Sequence, residues 1–146
     1  MNPLIIRTFE RSDIFAALQL WANAPGVRLG LSDTPDELAG FLERNAGLSR
    51  VATSDGALVG AVLAGHDGRR GTLYHLAVEA AHRRQGIGRK LVDAGLESLR
   101  IAGVPRITIH VFAHNQAGID FWHSIGWTNR PDLSVIQFNF PQPLTL

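Results

Sequence analysis

Cysteine is absent from the 146 residues of this chain. No disulfide, thiolate nucleophile or cysteine-ligated zinc centre is therefore available to it. No apolar run approaches the roughly 20 residues that a membrane-spanning helix needs, so we expect no membrane protein. The N-terminal residues also lack the basic segment and apolar core of a signal peptide, and we expect a cytoplasmic protein.

A large charge of either sign is missing too, because 14 lysines and arginines against 13 aspartates and glutamates give a formal net charge of +1. A nucleic-acid-binding domain shows a broader basic excess, so neither nucleic acid nor an anionic membrane is expected as a partner. Hydrophobic residues make up 45% of the chain and charged residues 18%, which is typical of a globular protein. The length suits one domain over residues 1–146.

The positive charge that is present is concentrated in residues 82–91, with the sequence HRRQGIGRKL. This segment follows a predicted strand over residues 71–78 and precedes leucines at helical spacing. The first turn of a helix carries N–H groups without intrahelical partners, and glycine lets a phosphate approach the backbone closely. The order of strand, glycine-rich turn and helix therefore predicts a pyrophosphate site around Gly86 and Gly88.

Spacing separates three phosphate-binding designs that share this order. A Walker loop needs Ser or Thr after its lysine, but Lys90 is followed by Leu91. A dinucleotide-binding turn needs a third glycine, and Leu91 holds that position. The remaining pattern, Arg83-x-x-Gly86-x-Gly88, resembles the acyl-CoA loop of the GNAT superfamily of N-acetyltransferases.

A second segment strengthens this resemblance. The sequence NQAGIDFW at residues 115–122, followed by IGW at 125–127, is similar to the superfamily pattern Asn-x-x-Ala-x-x-Phe-Tyr with a later Gly-Phe. Gly118, Trp122 and Trp127 replace the usual Ala, Tyr and Phe. The resemblance covers residues 71–127 firmly, whereas only the order of elements matches before residue 71.

The resemblance implies an α/β (α+β) fold in the order β-α-α-β-β-β-α-β-α-β. It also implies a mixed central sheet, flanked by helices, that splays between its fourth and fifth strands to admit the cofactor. Sequence periodicity and turn residues predict two helices before the glycine-rich turn, from about Asp13 to Trp21 and from about Thr34 to Gly47. The predicted strands are Leu4–Phe9, Leu48–Thr53, Ala57–His66, Gly71–Val78, Pro105–Phe112 and Leu133–Phe140.

The activity that the resemblance implies is acyl-CoA-dependent N-acyl transfer, with acetyl passing from acetyl-CoA to a primary amine by direct attack in a ternary complex. A small-molecule or peptide amine would be the acceptor. Trp122 cannot protonate the leaving thiolate as the usual tyrosine would, so it packs either against the pantetheine arm or in the core. The implied cofactor-binding residues are Leu76, Ala77, Val78, Arg83, Arg84, Gln85, Gly86, Ile87, Gly88, Arg89, Asn115 and Trp122.

The proton of an ammonium acceptor, with a pKa of about 10, must be removed before attack. Candidate catalytic residues near the end of the fourth strand are His75, Glu79 and Tyr74, the last being the only tyrosine. Regular strand alternation would point His75 away from Tyr74. His110 and His114 would share a strand face, but two ligands without a third do not make a metal site, and we expect no metal.

The segment between the first two helices, residues 23–33, would line the acceptor pocket. Arg28 either binds a carboxylate or phosphate of the acceptor or is a solvated loop charge. Asp33 either holds an amine or caps the second helix. Phe138 and Phe140 on the last strand would allow a homodimer if they are exposed.

Two other functions compete with acyl transfer. A non-catalytic acyl-CoA-binding sensor would explain the missing tyrosine at position 122. A nucleotide-binding or phosphotransfer domain is suggested only by the glycine-rich turn.

Overall fold

A five-stranded mixed sheet forms the centre of the computed structural model, which describes residues 3–143. Its order is β1-β2-β3-β4-β5; the first four strands are antiparallel and β5 runs parallel to β4. The strands are β1 Leu4–Thr8, β2 Arg50–Ser54, β3 Ala57–His66, β4 Gly71–Val78 and β5 Ile107–Thr108. The helices are α1 Ile14–Ala22, α2 Pro35–Arg44, α3 Ile87–Ile101 and α4 Gln116–Ser124. None of these helices is both long and apolar enough to span a membrane.

Helices cover both faces of the sheet. Helix α3 packs on one face, where Leu73 of β4 meets the buried side chains of Leu91 and Leu99. Helices α1 and α2 pack on the other face, where Trp21 and Leu38 are buried. This arrangement confirms the predicted mixed sheet flanked by helices.

The start of α2 shows why the sequence signal at this helix is reliable. The Thr34 Oγ1 accepts a hydrogen bond of 3.2 Å from the Glu37 N–H, and Pro35 occupies the first helical position, where no N–H is needed. Asp33 is therefore not the cap of α2. The helix ends at Arg44, before the predicted Gly47, because the next residue, Asn45, is buried and its Oδ1 accepts the His66 N–H at 3.1 Å.

The fifth strand is much shorter than the apolar run that predicted it. Only two residue pairs, Gly71 with Ile107 and Thr72 with Thr108, join β4 to β5. Beyond Thr108 the two strands diverge, so residues 109–113 line a cavity instead of continuing the ladder. The predicted splay between the fourth and fifth strands is thus present.

The predicted strand over residues 133–140 is wrong, because this segment pairs with no strand in the described part of the chain. An alternating apolar pattern forms a strand only where a neighbouring strand satisfies its backbone groups. The segment's large apolar side chains are exposed, from 59% at Leu133 to 91% at Ile136. Phe138 and Phe140 share this exposure and stack edge to face on each other.

Asp13, at the start of α1, is a buried carboxylate with several hydrogen bonds. Both of its oxygens accept from the Arg7 guanidinium, at 2.7 and 2.8 Å, and Oδ2 also accepts the Glu10 N–H at 2.8 Å. The hydrogen bond from Arg7 lowers the pKa of Asp13 below its ordinary value of 3.8. The pair therefore fixes the end of β1 to α1.

Asp13→Ala is expected to lower the free energy of unfolding at pH 7 by about 2 kcal/mol, since it leaves a partly buried guanidinium without its partner. A carboxyl whose folded pKa is lowered stabilises the fold above its unfolded pKa and loses that contribution as the pH falls through the folded one. The difference in the free energy of unfolding between wild type and Asp13→Ala, measured by urea denaturation, should thus shrink as the pH falls below about 4. Asp132→Ala, in an exposed pair with Arg130, is the control and should change stability little. An equal loss in both variants would contradict this account.

Candidate active site

A cavity of about 1080 Å³ opens where β4 and β5 separate. Its walls come from the C-terminal half of β4, the turn before α3, residues 109–113, the first part of α4 and residues 24–28 after α1. Thus the glycine-rich turn and the segment between the first two helices face the same space.

Gly86 is the N-cap residue, immediately before α3, and has the left-handed conformation, with a φ of 77°. A Cβ at this position would meet no other atom within 4 Å, so the backbone conformation, and not space, calls for glycine here. The first helical hydrogen bond runs from the Lys90 N–H to the Gly86 carbonyl at 3.1 Å. The N–H groups of residues 87–89 therefore precede the helical ladder, as an anion site at a helix start requires.

Arginines surround this helix start. Arg84 and Arg89 line the cavity, and Arg84 also has a positive φ, of 64°. Arg83 lines it as well, but its Nε donates to the Val78 carbonyl at 3.0 Å and so fixes the turn to the end of β4. Free N–H groups and arginine side chains together fit the pyrophosphate of a nucleotide-derived ligand.

The cavity edge of β4 offers backbone groups to a ligand. The Glu79 N–H donates to the Val59 carbonyl of β3 at 2.8 Å, so by antiparallel alternation the N–H and carbonyl of Val78 point away from β3. The bond from Arg83 to the Val78 carbonyl agrees with this direction. Leu76 and Ala77 also line the cavity.

A bulge in β4 changes which way its side chains point. Leu63 pairs with Tyr74 and Ala61 with Ala77, so two β4 residues lie opposite the one β3 residue between them. His75, within the bulge, has a φ of 55°, which is uncommon for a residue other than glycine.

The bulge overturns the expectation that His75 points away from Tyr74. The Tyr74 ring contacts Phe41 of α2, with ring centroids 6.1 Å apart. The His75 ring contacts the buried Trp21 of α1 edge to face, at 5.1 Å. Both side chains therefore lie on the α1–α2 side of the sheet, and both line the cavity.

His75 has a carboxylate partner that the sequence did not reveal. Its Nε2 lies 2.8 Å from the Asp33 Oδ1, and the Asp33 Oδ2 accepts the Gly30 N–H at 2.8 Å. The side chains of His75 and Asp33 are only 20% and 11% exposed. With Asp33 ionised, Nε2 donates the hydrogen bond, which assigns the proton to Nε2 and leaves the lone pair on Nδ1.

Two predicted site residues lie outside the cavity wall. Glu79 is half exposed, and its carboxylate lies 3.7 Å from the Nδ1 of His82. Gln85 also does not line the cavity, although its neighbours do. The remaining predicted residues line it, namely Arg28, Tyr74, His75, Leu76, Ala77, Val78, Arg83, Arg84, Gly86, Ile87, Gly88, Arg89, Asn115 and Trp122.

The start of α4 closes the cavity beside the acceptor segment. The Asn115 Oδ1 accepts the Gly118 N–H at 3.0 Å and so caps α4. A Cβ on Gly26 would lie 2.7 Å from the Asn115 Nδ2, so the segment after α1 approaches this amide at a distance that only glycine permits. Trp122 lines the cavity and packs edge to face on Trp127.

Arg28 lies over the Phe112 ring, with its guanidinium carbon 5.1 Å from the ring centroid. This geometry is a cation–π contact and holds the exposed guanidinium at the cavity wall. Within residues 3–143, no three histidine, aspartate or glutamate side chains lie close enough together to hold a metal ion.

Comparison with known proteins identifies the family to which this chain belongs. The model of the acetyltransferase (GNAT) family matches residues 15–127. The chain is 30% identical over 130 residues to acetyltransferase YE1169 of Yersinia enterocolitica, covering 89% of this chain and 92% of that protein.

Two solved structures share the fold. The ribosomal-protein-S18-alanine N-acetyltransferase of Escherichia coli is 25% identical, with a TM-score of 0.70 over 85% of this chain and 77% of that one. The acetyltransferase yncA of Salmonella typhimurium, solved with its cofactor acetyl-CoA, is 22% identical, with a TM-score of 0.71 over 86% and 80%. Family membership decides against a phosphotransfer domain and against a non-catalytic sensor. The chain belongs to the acetyltransferase (GNAT) family.

Proposed function

We propose that this enzyme transfers acetyl to the primary amine of a small molecule or peptide, by direct attack of the amine on the thioester in a ternary complex. The observation that carries the proposal is one continuous cavity. The phosphate-binding turn around Gly86 and the acceptor segment around Arg28 both line it, and so does His75 of β4. A donor and an acceptor can therefore be bound at the same time.

Donor binding is assigned to the residues of the turn and the open strand edge. The free N–H groups of residues 87–89 and the side chain of Arg84 bind the pyrophosphate. Leu76 and Val78 offer their backbone to the pantetheine arm, Ala77 lines the cavity between them, and the Val78 N–H polarises the thioester carbonyl. Asn115 and Trp122 contact the arm from α4.

His75 is the proposed general base. Its Nδ1 accepts a proton from the ammonium of the acceptor, while Asp33 holds the ring in the required tautomer through Nε2. The freed nitrogen lone pair attacks the carbonyl carbon, the C–S bond breaks and the thiolate leaves. Tyr74 is the one phenol of the chain and is proposed to protonate the thiolate, and its phenolate then takes the surplus proton from the nitrogen that forms the amide. Glu79 receives no catalytic role because it does not line the cavity.

Initial rates measured over a grid of acetyl-CoA and amine concentrations test the order of events. A ternary complex predicts double-reciprocal lines that intersect, and no release of CoA before the amine is added. Alcohols of the same shape as the accepted amines should not be acetylated. Parallel lines, or a burst of CoA without acceptor, would show an acyl-enzyme and overturn direct attack.

The cytoplasmic location and the homodimer remain predictions. Phe138 and Phe140 are exposed, but the segment that carries them forms no strand in the described part of the chain, so the strand pairing foreseen for a dimer is not available there.

A further inference from the structure

The acceptor end of the cavity is short of negative charge. We define this end by residues 24–28, His75 and Phe112, all of which line the cavity. Across residues 3–143, no aspartate or glutamate lines any part of the cavity. A second ammonium group on an acceptor would thus enter the site without a carboxylate to balance it.

The one carboxylate that contacts a lining side chain at this end is already occupied. Both oxygens of Asp33 accept hydrogen bonds, from His75 and from the Gly30 N–H. Its side chain is 11% exposed. Asp33 is therefore behind His75 in the wall and does not serve as the counter-ion of a bound ammonium.

A fixed positive charge is present at the same end. Arg28 forms no ion pair with any carboxylate in the described part of the chain, and the Phe112 ring holds its guanidinium at 5.1 Å. A guanidinium presents its N–H donors as a planar fork, and a carboxylate fits that fork with two parallel hydrogen bonds.

From the missing carboxylates and the unpaired Arg28, and resting on the proposed amine acetylation, we infer that the acceptor is a primary amine that also carries a carboxylate, which Arg28 binds. Polyamines and other acceptors with several ammonium groups are excluded by the same charge pattern. Arg28 thus selects the acceptor, whereas His75 prepares its amine.

Matched probes test this inference. The set of free amino acids is compared, as acetyl acceptors, with the same amino acids as C-terminal amides, with spermidine added as a polycation. The wild-type ratio of kcat/KM for acid over amide is compared with the ratio in Arg28→Ala, because this double comparison cancels the different intrinsic reactivity of the two amines. The ratio should fall by about 10-fold to 100-fold in the variant.

Arg28→Lys retains charge but not the planar fork and should give an intermediate ratio. Arg69→Ala, an exposed arginine outside the cavity, is the control and should leave the ratio unchanged. A ratio that does not change in Arg28→Ala, or spermidine as the best acceptor, overturns the inference. A raised KM for acetyl-CoA without a changed ratio also overturns it, because Arg28 would then bind the donor.

Different results overturn amine acetylation and the binding of a carboxylate by Arg28. If no amine of any series accelerates CoA release by wild-type enzyme that binds acetyl-CoA, the proposed function is overturned and the inference falls with it. If amines are acetylated but Arg28→Ala does not change the ratio of kcat/KM for acid over amide, only the inference about Arg28 is overturned.

Discussion

Gly86→Glu is expected to raise the dissociation constant of acetyl-CoA by at least about 100-fold, equivalent to about 2.7 kcal/mol. Gly86 immediately precedes α3, beside the free N–H groups of its first turn. A glutamate there places a side chain and a negative charge where the pyrophosphate would bind. Repulsion and bulk act in the same direction, so calorimetric titration with acetyl-CoA should show little or no heat of binding.

The matched control for this variant is Gly103→Glu. Gly103 also has a positive φ, of 86°, and a Cβ there would likewise meet nothing within 4 Å. It lies beyond the C-terminal end of α3 and does not line the cavity. Both variants pay the cost of a non-glycine residue in the left-handed region, about 1 kcal/mol. Only Gly86→Glu should lose binding, and equal affinity in both would refute a phosphate site at this turn.

His75→Asn is expected to lower kcat by about 100-fold or more at neutral pH, since it removes the proposed general base. Asparagine tolerates the positive φ that His75 adopts, so the bulge should persist. The KM for acetyl-CoA should change little, because the phosphate-binding turn is not altered. Steady-state kinetics of both substrates, with circular dichroism to verify folding, provide the measurement.

The pH dependence gives this prediction its sharpest form. An amine acceptor with a pKa of about 10 gains free base tenfold per pH unit below that value. The ratio of the wild-type kcat to the kcat of His75→Asn should therefore decrease as the pH is raised from 7 to 9. Asp33→Asn should lower kcat by a smaller factor, since it disturbs the tautomer but keeps the imidazole. If His75→Asn has the same kcat as the wild type across this pH range, His75 is not the general base and only packs against Trp21.

Signals within a few residues made much of this fold predictable. The hydrogen bond from the Glu37 N–H to the Thr34 side chain fixes the start of α2, and Pro35 fits there because it has no N–H to satisfy. Four consecutive residues are therefore enough to predict where this helix begins. Gly86 marks the start of α3 in a different way, because its left-handed conformation, with a φ of 77°, favours glycine. The splayed sheet came from the resemblance to a family, because no local pattern specifies where two strands separate.

Features that depend on distant residues escaped the sequence. The bond between His75 and Asp33 joins positions 42 residues apart, and the bulge that turns His75 toward α1 is a property of the β3–β4 register. Apolar and polar residues alternate over residues 133–140, as they do in a strand, but this segment pairs with no edge of the described sheet. Local patterns state what a segment is able to form, whereas pairing and register decide what it does form.

The separation of β4 from β5 after two paired residues also makes the stability of the fold depend on the concentration of a ligand bound in the gap. A ligand that fills the gap binds the native chain and not the unfolded one. Native stability then grows with ligand concentration as RT ln(1 + [L]/Kd), about 2.7 kcal/mol at a hundred times Kd. If acetyl-CoA fills this gap, as proposed, a chain weakened by a substitution in its core is stabilised by its own substrate, and its folded fraction rises with the acetyl-CoA concentration.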